Sequence, residues 1–425
     1  MAEMSQLGRE STVPKRFIFL SFAFTCLLIS YLDRVNLSVA APVLMKEYGW
    51  DPIMLGAILS AFFWGFSVSP LIGGWLADRF DGKQVLGLGA FWWSLCTLVT
   101  PLAPGASAFI AVRALLGAGE GVNAPAIQSI ASRWFPIQER TRAVSLYLAG
   151  SHVGTIIAFP LSTWLIASFG WQSVFYIYAL VGFVWVSLWY ASGAKSPEAH
   201  PTISPKERSY ILENRGASAE KGKVPWRWIL SSGPVWGLIL TTFGVAWMVW
   251  LFVAWLPTYL METHQFSLKE SGVYSALPFA ANTVGGISFA WLQDRCILAG
   301  YSVTVVRKVS LTLAFAGAIV FLLLIPGAQT PMHAVWYLTG AMTVFSGAQM
   351  AVMVNNIDIG PRYAGVLLGL QATAGNLAGA ISPIVAGIIL ARTGSFDGVF
   401  YGIVALLIVS AVIWNALATG EKIID

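Results

Sequence analysis

Two pairs of charges interrupt stretches that are otherwise apolar enough to cross a bilayer, and these are the residues best placed to do chemistry. One pair lies in Arg113-Ala-Leu-Leu-Gly-Ala-Gly-Glu120-Gly-Val-Asn123-Ala-Pro125, the other is Asp33-Arg34 in the first apolar run. Arg113 and Glu120 are two helical turns apart and so share one face of a helix. A charge near the bilayer centre costs several kcal/mol or more, so all four must face protein or a water-filled cavity. An arginine presents five donors in a planar fork that matches carboxylate or phosphate, and it keeps its charge, which suits an anion site. A neighbouring carboxylate titrates if desolvation raises its pKa while the arginine lowers it. An anion that occupied the arginine would remove that lowering influence and favour protonation, coupling anion to proton. The competing reading is a set of buried ion pairs that only fix helix packing.

Other residues extend the set. Tyr31 and Asn36 flank Asp33-Arg34 and are placed to orient it. His152 offers a proton relay, although a lone histidine on an apolar helix is more often a packing residue. Trp247, Trp250 and Trp255 would suit a sugar cavity, but aromatics at helical spacing usually mean packing or lipid contact. The second half of the chain carries amides instead of charges in its apolar runs: Asn282, Asn355, Asn356, Gln371 and Asn376. Asp358-Ile-Gly-Pro-Arg362 reads as a structural or gating ion-pair cluster. Cys26, Cys96 and Cys296 are odd in number and scattered, which excludes a disulfide framework or metal site. No nucleotide loop, nucleophile motif or metal-ligand spacing points to an enzyme, and no cofactor is expected.

Composition explains what must position these residues. Hydrophobic residues make up 57% of the chain and charged ones 11%, far below the quarter or so of a soluble domain. The chain reads as an all-α membrane protein. After a short polar head, apolar runs cover residues 17–42, 53–77, 84–102, 107–131, 143–167 and 172–192, then 233–257, 272–292, 304–326, 332–356, 364–390 and 396–418. That is twelve transmembrane helices in two six-helix halves, residues 1–192 and 232–425, joined by a charged, proline-bearing linker over 193–231. In the linker, Ser204-Pro205 reads as the cap and first turn of a short surface helix. Threading the spans with both ends on one side leaves only Lys46, Lys269 and Arg392 on the other side, with Arg34 and Arg113 in the membrane. The positive-inside rule then makes both termini and the linker cytoplasmic, in the cell inner membrane. The net charge of +5 reflects that orientation and not nucleic-acid binding.

The halves read as copies. Gly73-Gly-Trp-Leu-Ala-Asp78-Arg79 after span two recurs as Phe289-Ala-Trp-Leu-Gln-Asp294-Arg295 after span eight, and Pro160 to Phe175-Tyr176 echoes Pro383 to Phe400-Tyr401. Parallel six-helix repeats with a midplane site between them describe the major facilitator architecture. Gly74-x-x-x-Asp78-Arg79-x-x-Gly82-Lys83 resembles that superfamily's signature loop, with Asp81 and Gly82 where Gly and a basic residue are usual. The resemblance assigns Asp78, Arg79, Asp294 and Arg295 to gating loops.

Longer segments narrow the resemblance. Leu32 to Pro42, Tyr48-Gly-Trp-Asp-Pro52, Phe62-Phe-Trp-Gly65, Arg113 to Pro125, Trp171 to Tyr176 and Asp358 to Gly369 are similar to the anion:cation symporter family, which includes bacterial sugar-acid/proton symporters, vesicular glutamate transporters, sialin and plant plastid phosphate transporters. The resemblance implies that Arg34 and Arg113 face a central cavity, Arg34 contacting the substrate carboxylate, and that Glu120 couples protons. Asp33 matches a carboxylate of the sugar-acid symporters. Val245 and Leu59 stand where the glutamate transporters carry arginine and histidine, which argues against glutamate. Asn376 matches a polar substrate ligand. The expected activity is proton-coupled symport of a small organic anion, a sugar acid or related carboxylate, by a monomer. Sodium-coupled or exchange transport of phosphate or another anion is the alternative.

Overall fold

The computed structural model describes residues 13–192, 196–216 and 224–424; the side chains of Leu71 and Asp78 lie outside the described set. The first half contains α1 (Lys15–Tyr48), α2 (Pro52–Leu76), α3 (Gly82–Val99), α4 (Ala106–Glu120), α5 (Asn123–Trp134), α6 (Ile137–Phe169) and α7 (Gln172–Ser192). The linker contains α8 (Pro205–Asn214) and α9 (Trp226–Ser231). The second half contains α10 (Gly233–His264), α11 (Leu268–Leu298), α12 (Val303–Leu324), α13 (Pro331–Ile359), α14 (Ala364–Thr393) and α15 (Asp397–Leu417). Ten of these are long and apolar enough to cross a membrane. The α4–α5 pair and α11 complete twelve spans. A helix satisfies every backbone group within its own segment, which is what the hydrocarbon demands.

Starts are set by capping residues. Asp51 accepts from the Met54 amide ahead of Pro52, Ser267 and Glu270 form a reciprocal capping box on α11, and Ser204 accepts from the Glu207 amide at the start of α8, as its Ser-Pro pair predicts. The fourth span departs from expectation. The run 107–131 is two helices, broken at Gly121-Val122, because Pro125 lacks an N–H and its ring crowds the carbonyl four residues back. Glu120 therefore ends a helix in mid-span.

Several spans overrun their apolar runs. α11 continues to Leu298, so Asp294 and Arg295 stand in its last turns and not in a loop; beyond the hydrocarbon a helix is simply solvated on its polar side. Arg79 lies in a π-helical turn, Ala77–Asp81, that joins α2 to α3. There Asp81 takes φ 148°, a conformation that favours the glycine usual at this place.

The two halves share one hydrophobic core at the end away from the linker, where Leu37, Leu55 and Phe159 join Phe252, Leu256 and Ala386. Phe159 stacks on Phe279 at 5.3 Å across the halves. α2 and α14 touch backbone to backbone there: a Cβ at Gly387 would strike the Pro52 carbonyl, and one at Gly56 would meet the Pro383 carbonyl at 2.5 Å. Towards the linker end the contact lapses. Gly365 and Gly369 of α14 face open space, and a second core built almost wholly from the first half, around Phe19, Trp134 and Trp189, takes over. The halves form a wedge closed at the far end.

Candidate functional site

Arg34, Asp33, Arg113 and Glu120 come together where α1 and α4 meet inside the first half. Glu120 Oε2 accepts from Arg34 Nε at 2.8 Å and from Ser30 Oγ at 2.6 Å. The Arg34 and Glu120 side chains are 8% and 0% exposed, so the ion pair is sheltered from water. Arg113 donates to the backbone carbonyl of Asp33 at 3.1 Å instead of to its carboxylate. Asp33 is fully buried, and Asn36 Nδ2 reaches its Oδ1 at 3.4 Å.

Bonding is incomplete in a place where polar groups are normally satisfied. Asp33 Oδ2, Asn36 Oδ1, Arg113 Nε and Glu120 Oε1 are all buried without a hydrogen-bond partner among the described residues. Close approach of α2 to α4 creates this tight setting. A side chain at Gly65 would collide with the Ala114 carbonyl, and one at Gly117 with that of Phe62.

The Arg34 guanidinium carbon lies 4.5 Å from the Tyr31 and Phe66 ring centroids, 5.0 Å from Phe62 and 5.8 Å from Trp250 of the opposite half. Each such desolvated contact is worth up to about 2 kcal/mol. Only Nε of the Arg34 fork is hydrogen-bonded among the described residues, and the side chain lines a small cavity between the halves. Arg113 and Ser38 are its other polar walls, and the remainder is Leu59, Phe62, Phe63, Trp250, Val253 and Ala254.

A cavity bounded by α1, α2 and α4 on one side and α10 on the other, near the middle of a six-plus-six bundle, is the arrangement that the repeat predicts. The sequence profile of the Major Facilitator Superfamily matches residues 23–383. The chain belongs to that superfamily. It is a multi-pass membrane transporter and not an enzyme. It is 41% identical to the Arabidopsis thaliana "Sodium-dependent phosphate transport protein 1, chloroplastic", over 97% of this chain and 81% of that protein. It is 39% identical to the Arabidopsis thaliana "Ascorbate transporter, chloroplastic", over 97% and 76%. In structure it resembles a bacterial homologue of the human lysosomal transporter Spinster in an inward-facing, occupied conformation, with TM-score 0.79, 17% identity and coverage of 96% and 97%. It also resembles the D-xylose-proton symporter, with TM-score 0.75, 15% identity and coverage of 95% and 99%.

Within this transporter the remaining candidates separate. Tyr31 packs its ring on Arg34, and Asn36 is buried behind Asp33 without reaching the cavity. Asn376 is half-buried on α14, outside the cavity wall. His152 is exposed on α6, and its polar contact among the described residues is Ser151 Oγ at 3.5 Å. Arg79 and Arg295 are exposed and lie over their neighbours Trp75 and Trp291. Asp294 is exposed, and the Asp78 side chain lies outside the described residues. Of the tryptophans, Trp250 lines the cavity, whereas Trp255 is buried with Nε1 on the Pro383 carbonyl.

Asn282, Asn355, Asn356 and Gln371 of the second half are occupied as donors. Asn282 bonds Gln349 and the Met342 carbonyl, Asn355 bonds the Thr419 carbonyl, and Asn356 bonds Gln371, which itself bonds Thr242 and the Val352 carbonyl. They tie α10, α11, α13, α14 and the C-terminal segment together. The Asp358 cluster contains a partly buried ion pair with a partner that the sequence reading passed over: Arg307 Nε donates to Asp358 Oδ2 at 2.9 Å and its Nη1 to Gln293 Oε1 at 2.7 Å. Ser30 was also missed. Its one available signal was its place a turn before Arg34 on the same helix face.

Proposed function

We propose that this transporter couples the uptake of a small organic anion, a sugar acid or related carboxylate, to protons by alternating access. What supports this is the sharing of one guanidinium: Arg34 bonds Glu120 through Nε, its other nitrogens carry no hydrogen bond among the described residues, and its side chain lines the cavity. An anion bound there draws the guanidinium's charge away from Glu120. A buried carboxylate without a counter-charge favours the neutral acid. Glu120 Oε1 has no hydrogen-bond partner among the described residues, so a proton enters there without displacing either bond on Oε2. Asp33 is the second proton-accepting candidate. The expected setting is the cell inner membrane, with the termini, the linker and the open side of the wedge cytoplasmic. One chain encloses the whole site, which supports function as a monomer.

A second reading, sodium-coupled or exchange transport of phosphate, is favoured by the name of the relative at 41% identity. The two are separated in proteoliposomes given sugar acids, monocarboxylates, ascorbate and phosphate under an imposed proton or sodium gradient. Carboxylate accumulation driven by protons alone supports the first reading. Phosphate accumulation that requires sodium overturns it in favour of the second.

A further inference from the structure

The cavity wall holds very little that can bind a hydroxyl. Its polar groups are Arg34, Arg113 and Ser38. The Ser38 hydroxyl already donates to the Val35 carbonyl at 2.8 Å, and Ser38 is 1% exposed. Arg113 spends Nη1 on the Asp33 carbonyl. The uncommitted donors are therefore guanidinium N–H groups of Arg34 and Arg113. Everything else facing the space is aliphatic or aromatic: Leu59, Val253 and Ala254, with Phe62, Phe63 and Trp250. Phe63 and Trp250 meet edge to face at 4.8 Å across the halves and form an angled aromatic wall to the cavity that Arg34 and Arg113 also line.

The second half offers no compensation. Asn282, Asn355, Asn356 and Gln371 donate to partners in their own half, and none of them lines the cavity. Asn376 also stands outside the wall.

Resting on the anion reading above, we propose that this site selects, among carboxylates, those with an apolar, preferably aromatic, body over polyhydroxylated sugar acids, and that Trp250 is a specificity-determining residue. A polyol entering this wall exchanges hydrogen bonds to water for contact with methyl groups and ring faces, and each unpaired hydroxyl counts against it. An aryl carboxylate places its charge on the Arg34 fork and its ring against Phe63 and Trp250, where aromatic pairs gain beyond their buried area. Inorganic phosphate fills the charged end and leaves the apolar wall unused.

Binding decides this without interference from passive membrane leakage. Titration calorimetry on the purified full chain in detergent compares benzoate, gluconate and inorganic phosphate, each with and without sodium. Benzoate is expected to bind at least tenfold tighter than gluconate. Trp250→Ala is expected to cut the benzoate-to-gluconate affinity ratio at least threefold and Trp250→Phe to restore most of it, a change in ratio that loss of folded protein does not produce. If Trp250→Ala fails to fold, the wild-type ratio alone decides. Gluconate binding as tightly as benzoate overturns the apolar selection while leaving the carboxylate reading intact. Phosphate binding that needs sodium, with neither carboxylate bound, overturns the carboxylate reading itself.

Discussion

Arg34 Nε and Glu120 Oε2 meet at 2.8 Å between α1 and α4, while the same guanidinium lines the cavity that Trp250 closes from the other half. One cation thus touches the carboxylate proposed to couple protons, the cavity proposed to take the substrate and the opposing half.

Arg34→Lys keeps the charge but not the fork. A lysine ammonium is a compact point charge and cannot hold Glu120 and a carboxylate with separate edges of one plane. Losing a charge-assisted bond of about 2 kcal/mol corresponds to roughly a thirtyfold loss of affinity, so uptake by the lysine variant should fall to a few per cent of wild type. Initial rates of substrate uptake in proteoliposomes check this, and wild-type rates would remove Arg34 from the anion site.

Glu120→Gln imitates the permanently protonated acid. It retains an oxygen for Ser30 and Arg34, so counterflow exchange of substrate should survive. Accumulation driven by a proton gradient should not. If Asp33 also takes a proton in each cycle, import of a monovalent anion carries one net positive charge inward, and 100 mV contributes about 2.3 kcal/mol towards accumulation. Counterflow and gradient-driven uptake measured side by side test both statements; accumulation by the glutamine variant would transfer coupling to Asp33.

The linker helix is clamped to the first half. Glu207 accepts from the Lys15 and Arg16 amides at 2.9 and 3.1 Å, capping the otherwise uncapped start of α1, and Arg16 bonds Glu139, which also accepts from Tyr210. His200 sits half-buried against Trp134; burial and the nearby Lys15 hold its pKa below the usual 6.5, against the opposing pull of Glu207. A histidine whose pKa is depressed in the docked state takes up its proton more readily when released, so docking is strongest above pH 6.5 and weakens as pH falls below it. Trypsin cleavage at Lys206 and Arg208 should accelerate at pH 5.5 relative to pH 7.5, and His200→Gln should flatten that difference, both after correction for the enzyme's own pH profile. In sealed cells cleavage should occur only from the cytoplasmic face.

Two arginines near the linker end of the second half should differ sharply. Arg307 is 5% exposed and bridges Asp358, whose side chain is 16% exposed, and buried Gln293, so Arg307→Ala leaves a partly sheltered carboxylate and a buried amide without their partner at a cost of about 1–3 kcal/mol. Arg295 is exposed on the last turns of α11, where its loss should cost within about 0.5 kcal/mol. Thermal unfolding of the two alanine variants in detergent gives the comparison. Equal melting temperatures would deny the Arg307 network its stabilising role.

The sequence alone determined the membrane class, the twelve spans, the repeat and the four intramembrane charges. These are local or compositional properties: apolar run length fixes a span, and a charge within it is costly wherever the helix is placed. It also determined the Ser204-Pro205 helix start, because capping depends on three or four neighbouring residues. Only the tertiary structure decided which charges pair. Arg113 and Glu120 share a helix face, yet Glu120 bonds Arg34 and Ser30 across to α1 while Arg113 takes a backbone carbonyl. Periodicity places a side chain on a face; it does not say which helix covers that face, or how close a glycine contact such as Gly65 on Ala114 allows it to come. The same ignorance hid the ring of Phe62, Phe66 and Trp250 around Arg34 and the amide pairs Asn282–Gln349 and Asn356–Gln371 of the second half. Those depend on contacts between helices distant in sequence, and packing of the two halves is what creates them.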